Sequence, residues 1–493
     1  MLKLNKINPL LLSKDQKILA VILLFFAVIF CLLSLINHAN LRTSALDLGV
    51  YTNALYDYRN FQFNDSLLFK PEAENLFADH FDFYLPVFSF LSFLFGTYTL
   101  LIVQIVALLF GAIGIYKFVE FKYKDSPLAH LMTICFLSFY GLYSALSFDY
   151  HSSVVASMFI PWLFYFMEKK NRKKTFIILF LILVGKENMG LWLFFIGMGM
   201  VVLYWKDKFQ RNTSFIIIGI SLLYTYLVLG VIMPNLSSTK EYHHLRYKIL
   251  GTGLVDTMQL FLKHPLGYFK FLFINHTENP YFDNIKKEFW MALCFSGMIL
   301  LILRPVFLFM LIPIFLQKLY HDGPMIWGVY LQYSIEFAPI LIIGLSGILV
   351  KIKVNKWRYF SAILLIYFTG KTTLGLMEKT EFDWSKEHIR VFKKEHYSTP
   401  WNTDEIFREI KKIPQSANVS CNSPLSPHLA LRDNLYTFPD VRDASYIIVA
   451  PIAGTYPLNP VSFDSIVTVY KNKPEWKCVH KSKQVTVLKK ISK

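Results

Sequence analysis

The chain has 493 residues, of which 54% are hydrophobic and 17% charged, and it carries a formal net charge of +17. That balance would suit nucleic acid in a soluble protein. Here the Lys and Arg residues sit in short loops between apolar runs, which is the pattern of cytoplasmic membrane loops, so composition argues for a multi-pass membrane protein and against a nucleic-acid partner.

The first apolar run, Ile18–Ile36, is followed by Asn-His-Ala-Asn and not by a small-x-small cleavage pattern, so it reads as a retained helix. Thr99–Tyr116, Ser214–Met233 and Tyr359–Leu376 are also long enough to cross a bilayer. The basic clusters are Lys3/Lys6/Lys14/Lys17, Lys117/Lys122/Lys124, Lys169–Lys174, Lys206/Lys208/Arg211, Arg304 and Lys351–Arg358. Keeping all of them on the cytoplasmic side gives about eleven transmembrane helices, a cytoplasmic N-terminus and an extracytoplasmic C-terminal part. By this parity Phe81–Phe95, short and holding Pro86, lies in the interface or re-enters. The first outer loop is therefore long. Within it Leu48, Tyr51, Leu55 and Tyr58 share one helical face, which predicts an interfacial helix with Asp47 at its start.

Four polar clusters thread to the same outer face. Asp47 reads either as a helix-start acid or as a functional carboxylate. Asp79 and His80 adjoin the short apolar run. Asp149 and His151 alternate around Tyr150 in a very short loop, and a carboxylate and an imidazole so close can hold a divalent cation, Mg or Mn. Lys186 and Glu187 lie in a tight turn, Gly185–Gly190, at or below the outer surface, where charge is costly unless it faces a partner or a wet cavity. A later outer loop carries His243, His244, Arg246 and Lys248, a set suited to phosphate at a membrane surface, and two short amphipathic runs, Leu254–Leu262 and Leu266–Phe273.

Residues 1–376 thus form a transmembrane domain and residues 377–493 a small extracytoplasmic α/β domain. In the latter, Asn402–Ile413 reads as a helix capped by Thr403 or Asp404. Ala417–Asn422, Asn434–Phe438, Ala444–Ala450, Ser465–Lys471 and Lys483–Lys490 read as strands. Spacing alone leaves open whether Cys421 and Cys478 pair. No Gly-rich phosphate loop, nucleophile elbow or internal repeat is recognisable in the sequence.

Several stretches, "LDLGVYTNALYDYRNF", "ADHFDFYLPV", "FDYHSSVVASMFIPW", "LVGKENMGLW" and "NVSCNSPLSPHLALRDNLYTFP", resemble a family of bacterial and archaeal predicted membrane proteins, a domain of unknown function. That family is similar in turn to the GT-C glycosyltransferases, including the protein O-mannosyltransferases and the aminoarabinose lipid A transferases. The resemblance runs from about Leu46 to Val449 and implies a GT-C-like fold. It also implies transfer of a sugar from a polyprenyl-phosphate donor to a lipid, glycan or protein acceptor at the outer face of the cytoplasmic membrane. Asp47 matches the family's acid after the first span, Asp149 and His151 a second acidic motif, and Lys186-Glu187 the family's turn. His428 and Arg432 match its "PHL…R" pattern. Gln332 stands where a His-Tyr pair is expected, beside Tyr333. The implied roles are catalysis for Asp47, Lys186 and Glu187, substrate binding for Tyr51, Asp79, His80, Arg246 and Tyr333, and cation binding for Asp149 and His151. Two other readings stand at this point, a transporter or flippase of lipid-linked saccharides and a non-catalytic membrane scaffold.

Overall fold

The computed structural model describes residues 12–491, apart from 71, 73, 239, 241–245, 252, 253 and 383–385. Four helical runs are long and apolar enough to cross a membrane: Lys14–Ala39, Tyr84–Tyr123, Lys208–Leu236 and Asn355–Glu378. A pair bent by 45°, Ser126–Leu137 with Tyr140–Leu146, makes a fifth if it is one span. Four shorter apolar helices, Ser152–Glu168, Met189–Leu203, Pro305–Leu319 and Phe337–Leu349, pack with them, as do the helices Arg172–Leu183 and Ile285–Phe295. The count of eleven inferred from loop charge is therefore not established. Length explains the difference, because several helices here are too short to qualify alone.

Lys14–Ala39 shows how these helices pack. Ser13 and Gln16 close a reciprocal capping box at its start. Its surface is apolar all round, so the neighbours decide which side is buried. Phe26, Phe30 and Leu33 turn into the bundle, while Val21, Leu24, Phe25 and Val28 face outward, as lipid requires. The Phe81–Phe95 run becomes short turns that lead into the regular helix Thr99–Tyr123, and Gly96, at φ +56°, marks the break. The interfacial helix expected after Asp47 is present as Val50–Arg59, behind a wider turn at Ala45–Gly49. Its expected headgroup face instead packs inward: Leu48, Tyr51 and Leu55 are buried. Tyr51 packs on Tyr150 and Tyr58 on Phe77, both with ring centroids 5.8 Å apart, while the C-terminal domain meets the adjacent side through Ala45 and Asn53.

That domain is built on a five-stranded sheet of order β2-β1-β3-β5-β4. Its strands are β1 (Val419–Cys421), β2 (Leu435–Thr437), β3 (Tyr446–Val449), β4 (Trp476–Lys481) and β5 (Thr486–Lys490). β1 pairs in parallel with β2 and β3, whereas β5 runs antiparallel to β3 and β4. Ser465–Lys471, expected as a strand, is the middle of a helix, Pro460–Asn472. Asn459 caps it and Pro460 opens it, a start signal that outweighs the β-branched residues inside. The helix at Thr403–Lys411 is capped by Asn402, one residue before the expected cap. Cys421 and Cys478 are both free thiols, the first buried beside Ser426 and the second exposed.

One face of the sheet, with Val419, Cys421, Ile448 and Val487, joins the apolar core of the bundle. The other, with Phe438, Val449 and Leu488, packs on Phe463 and Val467 of the Pro460–Asn472 helix. The bundle and the sheet thus share one continuous core at the end where the candidate site lies.

Candidate active site

The wide turn Ala45–Gly49 leaves backbone N–H groups at its start without partners in the turn. Asp149 satisfies them. Its Oδ2 accepts from Ser44 N at 3.0 Å, Ser44 Oγ at 2.8 Å and Leu48 N at 3.3 Å. The helix-start role that the sequence offered to Asp47 therefore belongs to Asp149, an acid one hundred residues away. Gln104, from the Thr99–Tyr123 helix, holds the Asp149–His151 loop from below. Its Oε1 accepts from His151 N at 2.9 Å and its Nε2 donates to the Asp149 carbonyl at 3.3 Å. Asp47 is released by this arrangement. It keeps a fifth of its side chain exposed and faces His151, with Oδ1 3.5 Å from Nε2. The other ring nitrogen, His151 Nδ1, is buried without a partner among the described residues.

A second acid–imidazole pair lies close by. Glu187 Oε1 is 3.4 Å from His80 Nδ1, and Glu187 Oε2 accepts from Phe81 N at 3.1 Å. Burial pushes this carboxyl up, but the His80 hydrogen bond and the charges of His80 and Lys186 outweigh it and hold it at about 2. Tyr51 sits between the pairs, its ring centroid 6.4 Å from that of His80 and 6.5 Å from that of His151. Asp79, at the end of a short helix, adds its charge to the environment of Tyr51.

Lys186 projects among these groups. Tyr224 donates to its carbonyl at 3.3 Å, and its charge bears on Asp82, His151, Glu187 and Glu336. The half-buried ammonium itself has no ion pair among the described residues. Tyr333 lies within the fields of Asp47, Glu336 and Arg246, and burial followed by Asp47 pushes its phenol up to about 12. The structure thus gathers Asp47, Tyr51, Asp79, His80, His151, Lys186, Glu187 and Tyr333 at one end of the bundle, with Arg246 in electrostatic reach. His243 and His244 lie outside the described residues.

The electrostatics divide the acids by role. Burial and the nearby Asp47 raise Asp149 to about 7 despite its three donors. Burial raises Asp82 to about 7 as well, where Tyr84 N and Tyr150 OH donate to it at 2.9 and 3.3 Å. Burial also lowers His151, and Asp47 opposes that shift. Sequence reasoning did not pick out Asp82 or Gln104. Asp82 lies within the quoted "ADHFDF" stretch, so its signal was present, but Gln104 is a lone amide in an apolar run. Gln332, standing for the expected histidine, is buried with its Oε1 unpartnered among the described residues, as is Ser334 Oγ. Together with His151 Nδ1 they leave polar atoms near the cluster that a polar ligand would satisfy.

These donors do not make a metal set. Asp47 and His151 give two ligands, Asp149 is engaged by Ser44 and Leu48, and no group of three His, Cys, Asp or Glu able to hold an ion occurs among the described residues.

The C-terminal domain braces the cluster. Ser423 Oγ accepts from Ala45 N at 3.1 Å, two residues before Asp47. Asn53 donates to the carbonyls of Ala430 and Arg432 at 3.1 and 2.8 Å. The Arg432 guanidinium is turned onto the carbonyls of Leu429 and Ala417, and the His428 ring stacks on His38 at 4.0 Å. Arg432 of the "PHL…R" pattern therefore binds protein groups, whereas His428 Nε2 is buried without a hydrogen-bond partner among the described residues.

The helical bundle, with acids at one end beneath a small α/β domain, has a GT-C-like fold by its likeness to a solved structure, ArnT. The chain belongs to the family described as "Predicted membrane protein (DUF2079)", whose model matches residues 37–491. No curated protein matches it. Among solved structures it is similar to ArnT from Cupriavidus metallidurans bound to undecaprenyl phosphate, with TM-score 0.51 and 10% identity over 95% of this chain and 97% of that one. It also overlaps the arabinofuranosyltransferase AftD from Mycobacteria, with TM-score 0.49 and 12% identity over 98% of this chain and 40% of that one. At these identities the first likeness speaks for the fold alone.

Proposed function

We propose that this protein is a membrane glycosyltransferase that moves a sugar from a polyprenyl-phosphate donor to an acceptor hydroxyl at the outer face of the cytoplasmic membrane. One observation carries the reading. A partly exposed carboxylate, Asp47, is freed from helix capping and paired with an imidazole, within the same cluster as Lys186, whose ammonium has no ion pair among the described residues. The ArnT structure, with its bound undecaprenyl phosphate, supports a polyprenyl-phosphate lipid as the partner.

In the proposed step Asp47 takes the proton from the acceptor hydroxyl. The acceptor oxygen bonds to the anomeric carbon as the bond from that carbon to the phosphate oxygen breaks. The electron pair leaves on the lipid phosphate, and Lys186 stabilises the charge. His151 positions Asp47. Glu187, held ionised, orients His80 beside the phosphate, while Tyr51, Tyr333, Asp79 and Arg246 line the sugar and headgroup space. No step is assigned to a divalent cation.

The test incubates the wild type and Asp47→Asn with a mixed pool of polyprenyl-phosphate sugars and candidate acceptors, and follows the lipids by mass spectrometry. The wild type is expected to consume one donor, and the variant to bind that donor intact with turnover down at least a hundredfold. If both proteins bind saccharide lipids and neither consumes any across the acceptors, the transferase reading fails and a transporter replaces it.

A further inference from the structure

A groove of about 570 Å³ runs between the helices Ile285–Phe295 and Asn355–Glu378, apart from the acid–imidazole cluster. Its wall is apolar at Met291, Phe295 and Phe368, all of them exposed. Two cations, Lys287 and Lys371, also line it. Lys371 lies in an apolar span, seven residues before Glu378, or roughly 10 Å below the helix end at 1.5 Å per residue. Charge at that depth is costly unless it meets a counter-charge.

No carboxylate among the described residues closes an ion pair with either lysine. Glu288 lies in the groove, but it accepts from Tyr330 OH at 3.1 Å and from Glu381 N at 2.6 Å, and burial raises its carboxyl to about 7, toward neutrality. Glu381 lines the groove as well, yet neither lysine forms an ion pair among the described residues. What remains is a pair of ammonium groups without an ion pair among the described residues, above an exposed apolar wall. A phosphodiester headgroup with an acyl chain complements both parts.

We propose that this groove binds one anionic glycerophospholipid of the surrounding leaflet, with its phosphate between Lys287 and Lys371 and an acyl chain along Met291, Phe295 and Phe368. The site is independent of the proposed transfer, since none of the residues assigned to that reaction lines it.

Native mass spectrometry of the full-length protein in detergent tests this, with titrations of phosphatidylglycerol, phosphatidylcholine and undecaprenyl phosphate. Wild type is expected to retain phosphatidylglycerol about tenfold better than phosphatidylcholine. The Lys287→Gln/Lys371→Gln variant is expected to lose that preference, and Lys287→Arg/Lys371→Arg to keep it. Gel filtration and tryptophan fluorescence check that the variants are folded, and if the Gln pair misfolds, each single Gln variant is expected to lose part of the preference. Equal phosphatidylglycerol occupancy in wild type and the Gln variants overturns the proposal and leaves lysines that merely reach the interface. So does a wild type that retains undecaprenyl phosphate in preference to phosphatidylglycerol through the same two lysines.

Discussion

Asp149 shows how a single residue sets the chemistry of another. Its carboxylate gathers three donors at the start of the Ala45–Gly49 turn and so leaves Asp47 free to face His151. Asp149→Ala would strand those donors in a buried setting. The expected cost is about 3 kcal/mol in denaturant unfolding of the detergent-solubilised protein. Turnover is expected to fall as well, because the turn that presents Asp47 loses its anchor. Asp47→Asn is expected to leave stability within about 1 kcal/mol, since Asp47 is partly exposed and caps nothing. That contrast separates the residue that holds the site from the residue that acts in it.

At the scale of elements, the segment from Gly328 to Glu336 brings Tyr333 and Glu336 to the cluster, and the short helix Tyr140–Leu146 supports it. Ser144 Oγ donates to the Val329 carbonyl at 2.8 Å. Gly141 lets the backbones touch: a Cβ there would lie 2.6 Å from the Ser334 carbonyl oxygen, which is backbone and cannot swing away. Gly141→Ala is therefore expected to cost roughly 1–3 kcal/mol by overpacking. It is also expected to raise KM for the donor more than it lowers kcat, because it displaces Tyr333, which lines the sugar and headgroup space, and not Asp47. Paired unfolding and steady-state measurements on the one variant check both. The sequence flagged Tyr333 only through its neighbour Gln332, and the glycine that seats it carried no signal, since a close approach between distant segments has no local pattern.

For the molecule as a whole, the Arg42 guanidinium donates to the carbonyls of Glu387, Glu395, His396 and Ser398 at 2.7–3.1 Å, fastening the end of the first helix to the chain that leads into the sheet domain. With the shared core and the Ser423 and Asn53 contacts, this makes the C-terminal domain a structural lid over the acids. The buried acids beneath it make stability depend on pH. Burial raises Asp57, Asp82 and Asp149 from 3.8 to about 7 in the folded protein. The folded state then binds protons more tightly than the unfolded chain, so their contribution is full below about pH 4 and is lost as pH rises through 7. Glu187 acts the other way, but only below its ordinary value. Burial lowers His276, His388 and His428, which oppose the raised acids as pH falls through the ordinary histidine value. The check is therefore a comparison with a variant in detergent: Asp82→Asn, neutral at both, is expected to raise the melting temperature relative to wild type more at pH 8 than at pH 5.5.

By itself the sequence determined that this is a helical membrane protein, where its C-terminal domain begins to differ in composition, and which polar residues are costly enough at membrane depth to need a reason. Those are local properties: apolar run length, loop charge and the price of unpaired charge in hydrocarbon. Only the tertiary structure decided that Asp149 and not Asp47 caps the turn, that Ser465–Lys471 is helical, and that Leu48, Tyr51 and Leu55 are buried inside the protein instead of facing headgroups. It alone paired Asp47 with His151 and Glu187 with His80, partners separated by about a hundred residues. Hydrogen-bond partners and burial are set by which distant segments share a core, and no period or spacing along the chain encodes that.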